Sequence, residues 1–196
     1  MILISSGHHK KAKGATFGKF NEYDLAVAWA DNIVYILNHG GDKRCIRVPN
    51  GTLKEKTYFI NAVPEKNIAV EIHFNSAQMW KDQNANGVVD DGEMVHVGRG
   101  SETLYYAGSK KGKKAAEMMQ DALSKVFPPN RGAKEGWYQM NPAKGMDYFL
   151  AKTNCVSLII EPEFIDNIET LIKNMDTGCH AIANGLLEIE QELFDV

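Results

Sequence analysis

Short apolar runs alternate along this chain with longer stretches in which apolar residues recur every three or four positions. The short runs predict strands, and the longer periodic stretches predict helices. Two runs, at 68–72 and 156–160, are almost continuously apolar, which is typical of central strands covered on both faces. The alternation therefore predicts an α/β fold, in which helices flank both faces of a twisted, mostly parallel or mixed sheet.

The predicted elements follow from these patterns and from the polar residues that bound them. Strands are predicted at 1–5, 43–48, 68–73, 101–107 and 156–161, with a shorter one near 148–151. Helices are predicted at 21–37, 52–62, 110–126, 167–174 and 180–194. Residues 78–97 interrupt the alternation of strands and helices and are predicted to be an inserted loop, and residues 128–145 are predicted to be irregular. Because the chain has no internal repeat and no linker rich in Gly, Ser or Pro, we expect residues 1–196 to form a single domain.

The composition is that of an ordinary soluble protein. With 196 residues, 44% of them hydrophobic, the chain is long enough to bury one sizeable core. The formal net charge of -3 gives no electrostatic argument for nucleic acid as a partner. No apolar run is long enough to span a membrane, so we expect no stable membrane association. The first apolar run is too short for a signal peptide, and three cysteines without metal-ligand spacing favour synthesis in a reducing cytoplasm.

Titratable side chains stand where three of the predicted strands end. His8 follows the first strand, His73 ends the third, and Glu161 ends the last. Glu22 begins the helix after the first strand and is expected at the same edge of the sheet. Ligands of open α/β sheets bind beyond the carboxyl ends of the strands. We therefore expect these four side chains to lie close together.

Two imidazoles, one carboxylate and an open fourth position are a ligand set of catalytic zinc, and a second carboxylate can act as general base. Each residue also has a simpler interpretation. A histidine at a strand end commonly makes only hydrogen bonds, and the helix dipole stabilises a glutamate at a helix start. Glu161 is harder to explain in this way, because a carboxylate after an apolar strand costs free energy unless it is paired or exposed. The four together favour a zinc hydrolase.

Six short segments resemble, in order, those of a known enzyme family. They are Gly7-His8, Asn21-Glu22-Tyr23, Ile72-His73-Phe74-Asn75-Ser76, Gly100-Ser101-Glu102-Thr103-Leu104-Tyr105-Tyr106, Asn130-Arg131-Gly132-Ala133-Lys134 and Ile160-Glu161-Pro162-Glu163-Phe164-Ile165-Asp166-Asn167. Together they resemble the zinc-dependent N-acetylmuramoyl-L-alanine amidases, in particular the catalytic domains of bacteriophage endolysins. The resemblance covers nearly the whole chain, from the first strand to the final helix.

This resemblance implies one Zn²⁺ ion held by His8, Glu22 and His73, with Glu161 as the catalytic carboxylate. It implies hydrolysis of the amide bond between N-acetylmuramic acid and the L-alanine of the peptidoglycan stem peptide. A phage lysis enzyme of this kind would be made in the host cytoplasm, would pass through a membrane lesion made by a holin, and would act on the cell wall. Many family members also carry a wall-binding domain, for which we expect no room in 196 residues.

Further residues in these segments are candidates for substrate binding or for a rival role. Arg131 or Lys134 is a candidate for holding a stem-peptide carboxylate, as guanidinium forks do, and a solvated loop cation is the alternative. Asn75 is expected to orient the site by hydrogen bonds. Two segments depart from the family pattern: His9-Lys10-Lys11 replaces a glycine-rich turn, and Pro162-Glu163 replaces a small residue and a glycine. The second departure makes Glu163 a rival for the role of base.

The inserted loop has the spacing of a helix-loop-helix calcium site, with Gly87 at its sixth position. The segments around it fit less well, because the lead-in is short and 93–97 read as a strand. An acidic surface loop without Ca²⁺ is the alternative. The candidate calcium ligands are Asp82, Asn84, Asn86, Val88, Asp90 and Glu93.

Three functions remain open from the sequence. The leading hypothesis is the zinc amidase, and a zinc peptidase that cuts the stem peptide is the alternative among enzymes, since the same site hydrolyses either amide. A wall-binding or calcium-binding module without catalysis is the alternative from another class. Glu161 beside three ligand-type residues favours catalysis, because binding alone needs no such base.

Overall fold

The computed structural model describes residues 1–39, 44–80, 84–87, 94–96, 98–136 and 147–194. Its centre is a six-stranded sheet that contains, in spatial order, β4 (Cys45–Arg47), β1 (Ile2–Ser6), β5 (Ile68–Ile72), β10 (Val156–Glu161), β8 (Ser101–Tyr105) and β9 (Asn130–Glu135). The first four strands are parallel. A separate short hairpin pairs β2 (Thr16–Phe17) with β3 (Phe20–Asn21). β8 runs antiparallel to β10, and β9 runs parallel to β8. The predicted mixed, mostly parallel sheet is confirmed.

The described residues form six α-helices. They are α1 (Glu22–Asn38), α2 (Leu53–Ala62), α3 (Lys110–Leu123), α4 (Tyr148–Lys152), α5 (Ile168–Lys173) and α6 (Met175–Phe194), with a short 3₁₀ helix at Ile165–Asn167. α1 begins where predicted because the Asn21 side chain caps it, accepting a hydrogen bond from the Asp24 amide at 3.0 Å. α2 begins with a capping box between Thr52 and Glu55. No helix in the described ranges is long and apolar enough to cross a membrane.

The central strands bury side chains on both faces. Val70 and Ile160 belong to the larger apolar core, to which α1, α3 and α6 contribute. Ala69 and Ile159 face the other way, into a smaller core shared with residues of α2 and α4. Helices on both faces explain why these strands read as continuous apolar runs.

Two short segments differ from their predictions. Residues near 148–151 form helix α4 rather than a strand, because the Asp147 side chain accepts from the Phe149 amide at 2.8 Å and starts a helical turn. Within the stretch read as irregular, Asn130–Glu135 forms the edge strand β9. The apolar pattern did not predict this strand because its residues are mostly charged or polar, and an edge strand needs few apolar side chains. The bounds of two helices also differ, since α3 ends at Leu123 and α6 begins at Met175.

The inserted segment contains two short strands, β6 (Gln78–Trp80) and β7 (Met94–His96), which pair antiparallel. Strands in place of helices on both sides mean that the loop is not part of a helix-loop-helix unit. Asn84 and Asn86 are described, and the Asn86 amide donates to Asn84 Oδ1 at 3.0 Å. Calcium binding stays a prediction, because the remaining candidate ligands lie outside the described residues: Asp82, Val88, Asp90 and Glu93.

Candidate metal centre

The carboxyl ends of β1, β5 and β10 lie side by side at one edge of the sheet. The Gly7 amide donates to the Ile72 carbonyl at 2.7 Å, and the His73 amide donates to the Ile160 carbonyl at 2.9 Å. These bonds extend the ladders to the residues that follow each strand. His8, His73 and Glu161 therefore come to the same edge, as the sequence predicts.

His8, Glu22 and His73 form a compact cluster, in which one ligand atom from each residue lies within 4.8 Å of the others. Glu22 joins the two imidazoles, because its Oε2 lies 2.7 Å from His8 Nε2 and its Oε1 lies 2.8 Å from His73 Nδ1. The amides of Ala15 and Phe74 also donate to the Glu22 carboxylate, at 3.1 and 3.2 Å. The first turn of α1 thus places this carboxylate between the two strand ends.

The backbone is shaped to let these side chains converge. His8 has a φ of 56°, a left-handed conformation that turns the chain immediately after β1. Gly14, with a φ of 75°, passes so close that a Cβ there would overlap both Glu22 Oε2 and His8 Nε2. Glycine is needed at this position for its backbone conformation and for the space that it leaves beside the cluster.

The charges of the cluster favour an ionised Glu22. Burial acts to raise the pKa of Glu22, but hydrogen bonds from His73 and His8 hold that pKa well below its usual value. Burial likewise acts to lower the pKa of His73, yet hydrogen bonds to Glu22 and Glu71 raise it well above its usual value. Glu22 is therefore held in its ionised form, in which a carboxylate oxygen can bind a cation.

Glu161 lies beside this cluster on the neighbouring strand. Ile160 is the register partner of Ile72, so Glu161 comes next to His73. Its Oε2 is buried and has no hydrogen-bond partner among the described residues. Burial raises the pKa of Glu161 to about 7, and the charges of Glu102 and Glu22 act in the same direction. A carboxyl group with this pKa exchanges protons readily at neutral pH.

Glu163, the rival for the role of base, is engaged in the local backbone. Its Oε1 accepts from the Gly100 amide at 2.9 Å, from its neighbour Phe164 at 2.8 Å and from Asn167 Nδ2 at 3.3 Å. The side chain is buried and holds the loop after β10 against the start of β8. Glu163 thus has a structural role, and Glu161 is the carboxylate beside the cluster.

The candidate substrate residues gather around Glu102 on β8. Asn75 Nδ2 donates to Glu102 Oε1 at 2.7 Å, Arg131 Nη2 lies 3.1 Å from Glu102 Oε2, and Lys134 forms an ion pair with the same oxygen. Arg131 also stacks over the Phe164 ring, 4.6 Å from its centre. The two predicted binding residues, Arg131 and Asn75, are therefore joined through one buried carboxylate.

Sequence reasoning missed two charged residues that the structure places against the cluster. Glu71 and Lys56 form a buried ion pair, with Lys56 Nζ 2.7 Å from Glu71 Oε1. Glu71 Oε2 lies 3.1 Å from His73 Nε2. A sequence signal for Glu71 exists, because it is a charged residue within an apolar strand, two positions before His73.

Comparison with protein families gives one match over most of the chain. The family model described as N-acetylmuramoyl-L-alanine amidase matches residues 2–187. No match was found among curated proteins.

Several solved structures share the fold. The N-acetylmuramoyl-L-alanine amidase from Clostridium difficile 630 superposes with a TM-score of 0.75 at 19% identity, covering 98% of this chain and 97% of that one. The catalytic domain of the CD27L endolysin, which targets Clostridia difficile, gives 0.68 at 25% identity, covering 95% and 96%. The catalytic domain of CwlV, an N-acetylmuramoyl-L-alanine amidase from Bacillus (Paenibacillus) polymyxa var. colistinus, gives 0.72 at 19% identity, covering 100% and 98%.

Proposed function

The chain belongs to the N-acetylmuramoyl-L-alanine amidase family, and from this premise we propose that it is a zinc-dependent hydrolase with Glu161 as its general base. The bond that it cleaves joins N-acetylmuramic acid to the L-alanine of the peptidoglycan stem peptide. The observation that carries the proposal is the convergence of His8, Glu22 and His73 within 4.8 Å, beside the Glu161 carboxyl group on the next strand.

The donor set fits zinc. Two imidazole nitrogens and a carboxylate oxygen are ligands of catalytic zinc sites, which keep a further position for water or substrate. His8, Glu22 and His73 would hold the ion, and Gly14 leaves space beside them because it has no side chain. When bound, zinc supplies Lewis acidity, which polarises a substrate carbonyl and lowers the pKa of water to about 7.

Glu161 acts by proton transfer. Its carboxylate accepts a proton from the attacking water as the water oxygen bonds to the lactyl carbonyl carbon. The proton then passes from Glu161 to the amide nitrogen as the carbon–nitrogen bond breaks. The products are a lactyl carboxylate on the glycan and a stem peptide that begins with a free L-alanine amine. Burial raises the pKa of Glu161 above that of an exposed carboxyl group, which makes its carboxylate a better proton acceptor for the first step.

Arg131 binds substrate next to this centre in the proposed enzyme, and Asn75 orients the site around it by hydrogen bonds. The Arg131 side chain is about one-quarter exposed, and its buried Nη1 has no hydrogen-bond partner among the described residues. Its charge also reaches Glu161, whose pKa it lowers. A guanidinium in this position suits a stem-peptide carboxylate, while Asn75 and Lys134 fix the Glu102 carboxylate that orients it.

A role in phage lysis is part of the same proposal. Support comes from the likeness to the CD27L endolysin catalytic domain over 95% of this chain. Activity on the cell wall fits an amidase. Release through a holin lesion remains a prediction of the sequence resemblance.

Mass spectrometry of fragments released from purified peptidoglycan, with zinc present, tests the cleaved bond. Stem peptides with a free L-alanine amine beside uncut glycan strands are the expected products. Fragments cut inside the stem peptide would identify a peptidase instead. Binding to walls without any released fragment would identify a binding module.

Substitution of the base tests the mechanism. Glu161→Gln keeps the size of the side chain and removes the proton acceptor, so we expect a loss of about 10²–10⁴-fold in kcat. Glu117→Gln on the exposed face of α3 is the matched control and should keep full activity. Activity of Glu161→Gln equal to that of the control would show that another group is the base.

A further inference from the structure

We propose that Glu71 is a positioning residue for the metal centre, which orients His73 through its second ring nitrogen, and that Lys56 offsets the charge of this buried carboxylate. This inference rests on the proposed zinc-dependent function. It goes beyond that function by assigning a role to two buried residues outside the proposed ligand set.

The geometry holds the His73 ring at both nitrogens. His73 Nδ1 lies 2.8 Å from Glu22 Oε1 on the side of the cluster, and His73 Nε2 lies 3.1 Å from Glu71 Oε2 on the opposite side. Glu71 and His73 are two positions apart along one strand direction, so their side chains project to the same face. The ring therefore has a fixed plane, with one nitrogen directed at the other ligands.

Glu71 has separate partners for its two oxygens. Oε2 faces His73, while Oε1 accepts from Lys56 Nζ at 2.7 Å and from Ser5 Oγ at 3.4 Å. Lys56 Nζ also donates to the Ser6 carbonyl at 2.6 Å, directly before the turn that leads to His8. The Glu71–Lys56 pair thus connects α2, β1 and β5 beside the cluster. Glu71 Oε2 remains available to His73 Nε2.

Burial makes a purely stabilising role a poor explanation of this pair. The side chains of Lys56 and Glu71 are each 1% exposed. Removing two charges from water is costly in free energy, and a protein with apolar residues of similar volume in their place is often equally stable or more so. The feature that an apolar pair would lack is an acceptor for His73 Nε2.

That acceptor has a defined chemical consequence. An imidazole that donates its Nε2–H to Glu71 carries its lone pair on Nδ1, the nitrogen that faces Glu22. Such an outer hydrogen bond fixes the tautomer and orientation of a metal-binding histidine and makes it a better donor. Its loss typically weakens metal affinity by about 10–100-fold.

A pair of double variants separates orientation from charge. Removing Glu71 alone would leave Lys56 buried without its counter-charge, so both residues are changed together. Glu71→Gln with Lys56→Met keeps an oxygen that accepts from His73 Nε2, whereas Glu71→Leu with Lys56→Met has none. Both replace the ion pair by neutral side chains of similar size, and both are expected to fold.

Zinc affinity, measured by competition with a chromophoric chelator, is the main readout. We expect near wild-type affinity for the Gln variant and a loss of about 10–100-fold for the Leu variant. The Leu variant should also change the visible absorption of the Co²⁺-substituted protein and lower kcat more than it changes KM. Equal affinities in the two variants would overturn the role of Glu71.

Two further outcomes keep the proposals distinguishable. If the wild type binds no zinc, the proposed function fails together with this inference; tight wild-type binding without a difference between the variants overturns the inference alone. Nitrogen NMR of the zinc-loaded wild type needs no variant. A proton on His73 Nε2 supports the orientation by Glu71, and a proton on Nδ1 contradicts it.

Discussion

Glu102 lies directly opposite Glu161 in the antiparallel ladder between β8 and β10. Partners in such a ladder project to the same face about 5 Å apart. The negative charge of Glu102 therefore adds to burial in raising the pKa of Glu161. Three neighbouring groups offset Glu102 itself: Asn75, Arg131 and Lys134. The proton affinity of the proposed base is thus set partly by a carboxylate that does no chemistry.

Glu102→Gln should shift the acid limb of the activity profile to lower pH. A general base works when it is deprotonated, and removal of the opposing charge lowers the pKa of Glu161. Lys134→Met should shift the limb in the opposite direction, because it leaves Glu102 less compensated. The measurement is kcat/KM against pH for the two variants and the wild type. Shifts of the same sign in both variants would contradict this electrostatic link.

The strand-end residues of the site were predictable because the sequence marks them. His8, His73 and Glu161 each stand at the end of an apolar run, and parallel strands bring such ends to one edge. Glu22 was predictable because the Asn21 cap fixes the start of α1. The pattern of apolar residues was therefore enough to predict the edge of the sheet at which these side chains meet.

The supporting residues were not predictable, because they depend on tertiary arrangement. Lys56 lies on a helix that shows a solvated charge pattern in sequence, and only its packing across the sheet buries it against Glu71. The pairing of Glu102 with Glu161 requires β8 to lie beside β10 and to run antiparallel, which no local pattern specifies. The apolar run near 148–151 fits a strand or a helix equally, and the Asp147 cap decides between them.

Glu161→Gln should stabilise the metal-free protein as the pH rises. The folded state raises the pKa of Glu161 from 4.5 to about 7. The contribution of this group to the free energy of unfolding is therefore fully present below pH 4.5, and it is lost as the pH rises through 7. Gln does not titrate, so the free energy of unfolding of the variant should exceed that of the wild type increasingly between pH 5 and 8. The difference has an upper bound of about 3 kcal/mol.

Urea unfolding at several pH values, with a chelator present, measures this difference. Glu117→Gln controls for the loss of one carboxylate at an exposed position. A difference between Glu161→Gln and wild type that stays constant across this pH range would contradict the raised pKa.

Gly14→Ala should damage the metal site more than the fold. The added Cβ overlaps the ends of two side chains, Glu22 and His8, which can move apart only by opening the cluster. Displacement of catalytic groups by about 1 Å commonly costs about 10²-fold in rate, and we expect a loss of this size together with weaker zinc binding.

Gly18→Ala is the matched control for the backbone. Gly18 has a φ of 56°, and no atom lies within 4 Å of the position that a Cβ would occupy there. Gly18→Ala therefore introduces the backbone strain of a positive φ without the overlap with neighbouring side chains. Both variants should lose about 1–2 kcal/mol of stability. Only Gly14→Ala should lose activity; equal activities would show that the space beside the cluster is not needed.

Removal of zinc should abolish activity while leaving the fold intact. The cluster lies at the edge of the sheet, and the two apolar cores that hold the strands and helices together do not include its residues. Far-ultraviolet circular dichroism of chelator-treated protein should therefore match that of the zinc-loaded form. Zinc at a thousand times its dissociation constant should add about 4 kcal/mol to the free energy of unfolding and raise Tm by roughly 10 °C. Restored activity on addition of zinc would complete the test, whereas unfolding on chelation would show that the cluster depends on the metal for its assembly.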